Sequence, residues 1–402
     1  MAFEKDRFDI VLVVDYFRFG GPFLSLLQAL QPRYRVGLFL IPLSEADLAK
    51  AGDQQGQFIQ YCRDLGAVVI EGGRHRCDLM IVQQRPYSDA DAAAVLEAVR
   101  PQRVVGLMAL AMAGLEVHER YLRQFGIEKV YVPCERFRRF LVSRRGAETV
   151  YDGIVVDQVG LPYAKGRLAP AVEADWFIAT PTTFSFRRES HRQAFLQCVL
   201  RLLDQIDPGD TVLYKPHNGE WRDYMASPRL ARLARALRRF PGAEVLARSA
   251  AALPGVAGER LGRLYTAMLQ ERVLRRCTPL RAVTDRVWLP FEAFLPGIRK
   301  GVIGGLSNTI WGTLYFGLPF YNCVDKTTRD QVPITDAPGK KDPTNLLDLN
   351  LDFFGVPYCE GRLDFSGAQG RGIVLPEDRE GDLIASVEGD LADVRERRSC
   401  AG

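Results

Sequence analysis

The chain reads as an α/β protein made of two similar halves, each built around a parallel sheet. Three observations predict this. Short apolar runs alternate with longer amphipathic runs through both halves of the sequence. The short runs are apolar on both faces, as strands covered by helices on either side are. Several of them end in glycines or polar residues, the pattern expected where the carboxyl ends of parallel strands meet a ligand. With 402 residues, 47% apolar and 25% charged, the chain is long enough for two domains, each with a core of its own.

In order, Phe8 to Val14 is a near-continuous apolar strand, followed by a helix over Pro22 to Leu30. Tyr34 to Ile41 is the second strand and Gln57 to Leu65 the next helix, and Ala67 to Ile70, Leu79 to Val82, Val104 to Leu107 and Lys129 to Val132 continue the strands. These make a first domain over residues 1–165. Gly160, Pro162 and the Gly-, Ala- and Pro-containing stretch up to Val172 punctuate the pattern, after which it restarts in a second domain over 166–380. There the strands are Trp176 to Ala179, Thr211 to Tyr214, Ala243 to Leu246, Arg286 to Leu289, Gly301 to Ile303 and Pro319 to Asn322. Helices are expected at Ser190 to Ile206 and Pro228 to Arg239, with a largely helical insertion at 249–285. Lys326 to Asn345 is a polar, Pro-containing loop, and 381–402 is a C-terminal tail able to form a closing helix, frayed from Arg395 onward.

Composition also excludes several function classes. No apolar run is long enough to span a bilayer, and MAFEKDRFD lacks the basic and apolar regions of a signal peptide, so an intracellular, cytoplasmic protein is expected. Eight cysteines are scattered without any CxxC spacing, which argues against a zinc ribbon or a disulfide framework. No HExxH and no His/Cys cluster is present, so no metal site is expected, and Asp89-Ala90-Asp91 opens a helix as an N-terminal cap. GxSxG and the P-loop pattern are absent as well. A net charge of +4 is too small to indicate nucleic acid. It is locally concentrated, however, in Arg136 to Arg145, where five arginines surround two phenylalanines, a composition suited either to an anionic membrane surface or to a solvated helix face.

Four strand ends carry the candidate chemistry. The first is Asp15 to Gly21: Gly20 and Gly21 allow close backbone approach, Arg18 binds a carboxylate or phosphate, and Asp15 is placed to act as a base. Gln83-Gln84-Arg85 is a second cluster of the same kind, with Arg85 as its cation. The third is Lys215-Pro216-His217-Asn218, where Lys215 adds positive charge and His217 can donate to a phosphate or shuttle a proton. The fourth, VIGGLSNTIWGTLYFGLPFYN, runs from an apolar strand through Gly304, Gly305, Ser307, Asn308 and Thr309 into a helix, which aims N–H groups, hydroxyls and the helix dipole at one point. Helix N-capping accounts for Ser307 or Thr309 equally well taken singly. Thr182, after the strand at Trp176, adds a hydroxyl to the same end.

KPHN and GGLSNT together resemble the paired motifs of GT-B glycosyltransferases, two Rossmann-like domains facing across a cleft. The resemblance is to bacterial sialic acid and Kdo-type CMP-sugar transferases, in which a His-Pro motif and a later Ser-containing motif hold the donor phosphate. Here His217 is preceded rather than followed by proline, Ser307 is followed by asparagine, and no acidic-acidic-glycine base motif is present, Asp152-Gly153 coming nearest. The resemblance implies a nucleotide-sugar transferase without a further cofactor, acting on a surface-polysaccharide or lipopolysaccharide acceptor, soluble or peripheral at the inner face of the membrane. Carried over residue by residue, it makes His217 and Ser307 donor-phosphate ligands, with Asn308 and Thr309 behind them; the strand-end motifs add Lys215, Asn218, Thr182 and Gly305 on the donor side and Arg18, Gly20, Gly21 and Arg85 on the acceptor side. Asp15 and His217 would be catalytic. A non-hydrolysing UDP-sugar 2-epimerase has the same two-domain plan and is separated by converting its nucleotide-sugar without an acceptor. An inactive GT-B-like binding or scaffold subunit is the alternative from a different class.

Overall fold

The computed structural model describes residues 7–15, 21–42, 54–84, 87–108, 115–143, 145–146, 149–160, 172–180, 189–216, 227–251, 255–305, 309–324, 356–370 and 383–401. The chain forms two compact units, residues 1–169 with 373–402, and residues 170–372.

The first unit alternates β1 (Arg7–Asp15), α1 (Gly21–Leu30), β2 (Val36–Ile41), α2 (Gln54–Asp64), β3 (Val68–Val69), β4 (His75–Gln83), α3 (Asp89–Ala98), β5 (Val99–Leu107), α4 (Leu115–Phe125), β6 (Lys129–Val132), α5 (Glu135–Val142) and β7 (Val155–Gln158). Its strands form one sheet in the order β3-β2-β1-β4-β5-β6-β7. Every neighbouring pair is parallel. This is the Rossmann order, with the chain reversing direction across the sheet between β1 and β4. Ile10 to Val14 and Leu79 to Val82 lie at its centre with no exposure, which explains why these runs are apolar on both faces. The capping box at the start of α3, in which Ser88 Oγ accepts from the Asp91 N–H at 3.0 Å, accounts for Asp89-Ala90-Asp91 as the sequence predicts. Strand β7 has no apolar run to announce it, because it is an edge strand whose Val155 is largely exposed.

The second unit contains β8 (Ala174–Ala179), α6 (Glu189–Leu203), β9 (Val212–Lys215), α7 (Pro228–Leu237), α8 (Ala243–Ala251), α9 (Val256–Leu274), β10 (Thr278–Pro279), β11 (Ile298–Gly304), α10 (Thr309–Tyr315) and β12 (Phe320–Asn322). Its sheet runs β10-β9-β8-β11-β12, again parallel throughout. Relative to its own first strand this is the same order, with its reversal between β8 and β11. Two Rossmann-like units in one chain, the GT-B composition, are therefore present.

Three expectations are corrected here. Ala243 to Leu246 is not a strand but the start of α8, since Ala, Glu, Leu and Arg are strong helix formers and Val245 and Leu246 are exposed. Arg286 to Leu289 is a turn, and the outer strand beside β9 is the two-residue β10, whose Pro279 is tolerated because it lies at the sheet edge. Residues 249–285 are not an insertion. Helix α9, with most of its length buried, packs on α6, α7 and α8 and forms the connection from β9 to β10.

The final helix, α11 (Leu383–Ala401), is no separate tail, nor is it frayed from Arg395. It packs against β4 and α1 of the first unit. Asp390, almost fully buried, pairs with Arg103 at 2.8 Å and Lys129 at 3.0 Å and accepts a hydrogen bond from the Tyr131 hydroxyl. Arg395 pairs with Asp9 at 2.5 Å and lies 3.5 Å from Asp78, which also takes Arg7.

Candidate functional site

In the second unit, the carboxyl ends of β8, β9 and β11 bring together Thr180, Lys215 and Gly305. The register sets Ala179 opposite both Lys215 and Gly304, and the Thr180 N–H donates to the Lys215 carbonyl at 3.3 Å. Two parallel strands approach closely here: a Cβ on Gly304 would meet the Ala179 carbonyl and the Phe320 ring at 3.0 Å, so glycine is required by contact. Of the sequence-predicted donor residues, Lys215 and Gly305 thus lie at the carboxyl ends of the strands on either side of β8, the edge at which open α/β sheets bind ligands.

Lys215 is the electrostatic centre of this end. Only 6% of it is exposed. Burial lowers its ammonium from an ordinary 10.5 to about 8, against the opposing pull of Glu292. Glu292 is itself buried, on a short 3-10 turn over Phe291–Ala293. A cation held in a poorly solvated place interacts strongly with an anion brought to it, because little water screens the pair. Thr309 is the first residue of α10, and its carbonyl accepts from Thr313 Oγ1 at 2.6 Å. At seven residues α10 is short, so positive charge at this end comes from Lys215 more than from a helix dipole. His217, Asn218, Ser307, Asn308 and Thr182 lie outside the described residues.

In the first unit the reversal point sets the ends of β1 and β4 side by side, with Val13 opposite Val82. Asp15 and Gln84, taken from separate motifs, therefore reach the same end of the sheet. Asp15 closes β1 and Gly21 opens α1, their side chains undescribed, and Arg18, Gly20 and Arg85 lie outside the described residues. Sequence reasoning missed His118 here. Gln84 and His118 are both buried, and Gln84 Nε2 lies 2.8 Å from His118 Nδ1. Burial pushes the imidazole down to about 3, so it is neutral at physiological pH and shares one hydrogen bond with the Gln84 amide through Nδ1. The ring stacks on Tyr151 at 5.7 Å. The signal was present as helical spacing: His118, Tyr121 and Phe125 lie on one face of α4, all buried.

The basic segment folds as α5. Arg138 and Arg139 both bond Glu135 on the same helix, and Arg145 donates to the Ile154 carbonyl at 2.7 Å. Phe137 is buried. Three of the five arginines therefore have intramolecular partners, as on a solvated helix face. Among the described residues no helix is long and apolar enough to cross a membrane. The cysteines, scattered in sequence, are not scattered in space: Cys198, Cys323 and Cys359 converge in the second unit with their sulfurs within 4.8 Å of one another. The expectation that no His/Cys cluster exists is corrected on this point, since α6, the end of β12 and the segment after it meet across the sheet.

No family model matches the sequence, and no curated protein does. Solved structures with similar backbones include the wall teichoic acid polymerase TagF (TM-score 0.44, 9% identity, covering 97% of this chain and 88% of that one). Others are the Methanocaldococcus jannaschii UDP-GlcNAc 2-epimerase in complex with UDP-GlcNAc and UDP (0.40, 10%, 78% and 83%) and an α,α-trehalose-phosphate synthase (UDP-forming) from Burkholderia vietnamiensis (0.37, 12%, 96% and 99%). At these identities and TM-scores the likenesses carry no argument, and any reading of the site rests on its own residues.

Proposed function

We propose that the chain is a GT-B glycosyltransferase that moves a sugar from a nucleotide-sugar, a CMP-sugar by preference, to a surface-polysaccharide or lipopolysaccharide acceptor. The observation that carries this reading is the buried Lys215 at the carboxyl end of β9, whose carbonyl accepts from the Thr180 N–H at the end of β8. A buried ammonium next to close-packed strand ends supports recognition of a phosphate. The paired KPHN and GGLSNT motifs add His217 and Ser307 to that end.

In the proposed reaction an acceptor hydroxyl oxygen attacks the anomeric carbon. The bond from that carbon to the donor phosphate oxygen breaks, the electron pair leaves on the phosphate, and the hydroxyl proton passes to a carboxylate, for which Asp15 is the candidate. Negative charge grows on the leaving phosphate, and Lys215, His217 and the Ser307 loop stabilise it as it grows. Arg18, Gly20, Gly21 and Arg85 would hold the acceptor. Cationic groups at the leaving phosphate supply what a divalent ion supplies elsewhere, so activity is expected to survive EDTA.

Thermal shift with CMP, CDP, UDP and GDP tests the donor site, because a ligand that binds only the folded state raises its apparent stability. A rise with CMP above the other three is expected, together with sugar transfer that His217→Ala and Ser307→Ala each reduce without lowering the melting temperature. No shift with any nucleotide would remove the site, and conversion of a nucleotide-sugar without an acceptor would make the protein an epimerase. The membrane-surface part of the reading rests on Arg136 to Arg145, and failure of the protein to float with anionic liposomes at low salt would place the acceptor in solution.

A further inference from the structure

We propose that Cys198, Cys323 and Cys359 form a binding site for a thiophilic divalent metal ion of the zinc class. The three sulfurs lie within 4.8 Å of one another, all three residues are buried, and Cys198 Sγ is 3.8 Å from Cys359 Sγ. A tetrahedron of sulfurs with zinc–sulfur bonds of about 2.3 Å has edges of about 3.8 Å. The spacing therefore suits a shared ion, and it is far longer than the roughly 2.05 Å of a disulfide.

The backbone holds the three ligands in place before any ion arrives. Cys198 is on α6, which packs its buried face in the second unit. The Cys323 N–H donates to the Gly304 carbonyl at 2.8 Å, and the Cys359 N–H donates to the Asn322 carbonyl at 2.9 Å. A bridge pairs Tyr358 with Asn322. Two of the thiols are thus anchored to β11 and β12, and ordering them requires no rearrangement of the sheet.

The chain turns sharply just after Cys359. In that turn the Arg362 N–H donates to the Cys359 carbonyl at 3.0 Å, and Glu360 and Gly361 have φ of 56° and 76°. Glu360 is the only non-glycine residue with positive φ among the described residues. That conformation is unfavourable for a side chain carrying a Cβ, and here it lies in the turn directly after Cys359. Arg201 donates to the Tyr358 hydroxyl at 3.1 Å, holding the residue that precedes Cys359 against α6. Binding would release up to three protons as three S–H bonds give way to three metal–sulfur bonds, leaving one position of the tetrahedron for a small exchangeable ligand. The bound ion would tie α6, the end of β12 and the chain returning at Cys359 into one knot.

The test titrates the full chain, reduced and stripped with chelator, with cadmium chloride and then with zinc chloride as competitor. One cadmium per chain with an ultraviolet thiolate-to-metal charge-transfer band, displaced by zinc, is expected in the wild type and in Cys400→Ser, a surface control. Loss of the band is expected in Cys198→Ser, Cys323→Ser and Cys359→Ser at unchanged far-ultraviolet circular dichroism. Should a variant not fold, X-ray absorption on the zinc-loaded wild type decides, with three sulfurs in the coordination shell expected. No band in the wild type, a band that survives Cys359→Ser, fewer than three sulfurs around zinc, or a Cys198–Cys359 disulfide forming in place of metal uptake would each overturn the site.

Discussion

On the proposed donor role, Lys215 is expected to make donor binding and fold stability respond to pH in opposite directions. Its ammonium titrates near 8 instead of 10.5, so a phosphate loses its cation as pH rises through about 8, and the donor KM is expected to climb above that point. Stability moves the other way. Between about 8 and 10.5 the unfolded chain binds the proton better than the folded one, so the penalty for burying the charge is present in full below 8 and is relieved across that window. Steady-state kinetics and urea unfolding across the same pH range check both limbs, and Lys215→Met should flatten them together. His118 acts in the acid range. Its folded value near 3 lies below the ordinary 6.5, so the fold loses stability as pH falls from about 6.5 toward 3, where the unfolded chain takes up the proton first. His118→Leu is expected to remove that slope and to cost about 1–3 kcal/mol at neutral pH by leaving the buried Gln84 amide without its partner. Part of the loss should return in the double variant with Gln84→Leu. The position of Lys215 at a strand end was legible in sequence because it closes an apolar run. That of His118 was not, because its partner Gln84 comes from another element and only folding brings them to 2.8 Å.

At the scale of elements, contact decides what glycine does. Gly304 lies where β11 and β8 approach, and a methyl group there meets a carbonyl and a ring at 3.0 Å. Gly304→Ala is expected to cost about 1–3 kcal/mol through overpacking and to weaken donor binding, since the strands that move carry Thr180 and Gly305. Gly56 in α2 has nothing within 4 Å of its would-be Cβ, so Gly56→Ala should instead stabilise by up to about 1 kcal/mol. Denaturant midpoints of the two variants, taken together, check the contrast. Long central strands such as Ile10 to Val14 were legible because both faces are buried. The two-residue β10, the edge strand β7 and the helix α8 were misread or missed for a shared reason: at the margin of a sheet the apolar signal fades, and Val-Leu in an Ala- and Arg-rich stretch suits a helix as well as a strand.

Across the whole molecule, the chain repeats one strand order in two units and then returns to the first. Helix α11 closes that unit through Asp390, whose carboxylate is nearly buried between Arg103, Lys129 and Tyr131. Asp390→Ala leaves both cations without it and is expected to cost about 3–5 kcal/mol. Ending the chain at residue 380 should lower hydrogen-exchange protection in β4, β5 and β6 while leaving β8, β9 and β11 unchanged, which exchange mass spectrometry reads directly. The sequence by itself determined the two α/β units, the placement of their central strands and the polar strand ends that carry the candidate chemistry. These follow from local periodicity and from the residue types that parallel strands require. Tertiary structure alone decided that Asp15 and Gln84 share one end of a sheet and that α11 belongs to the first unit. It also decided that Lys215 is buried enough to titrate near 8 and that three distant cysteines meet. Each of these depends on strand order and burial, which bring together residues far apart in the chain and set how much water surrounds a charge.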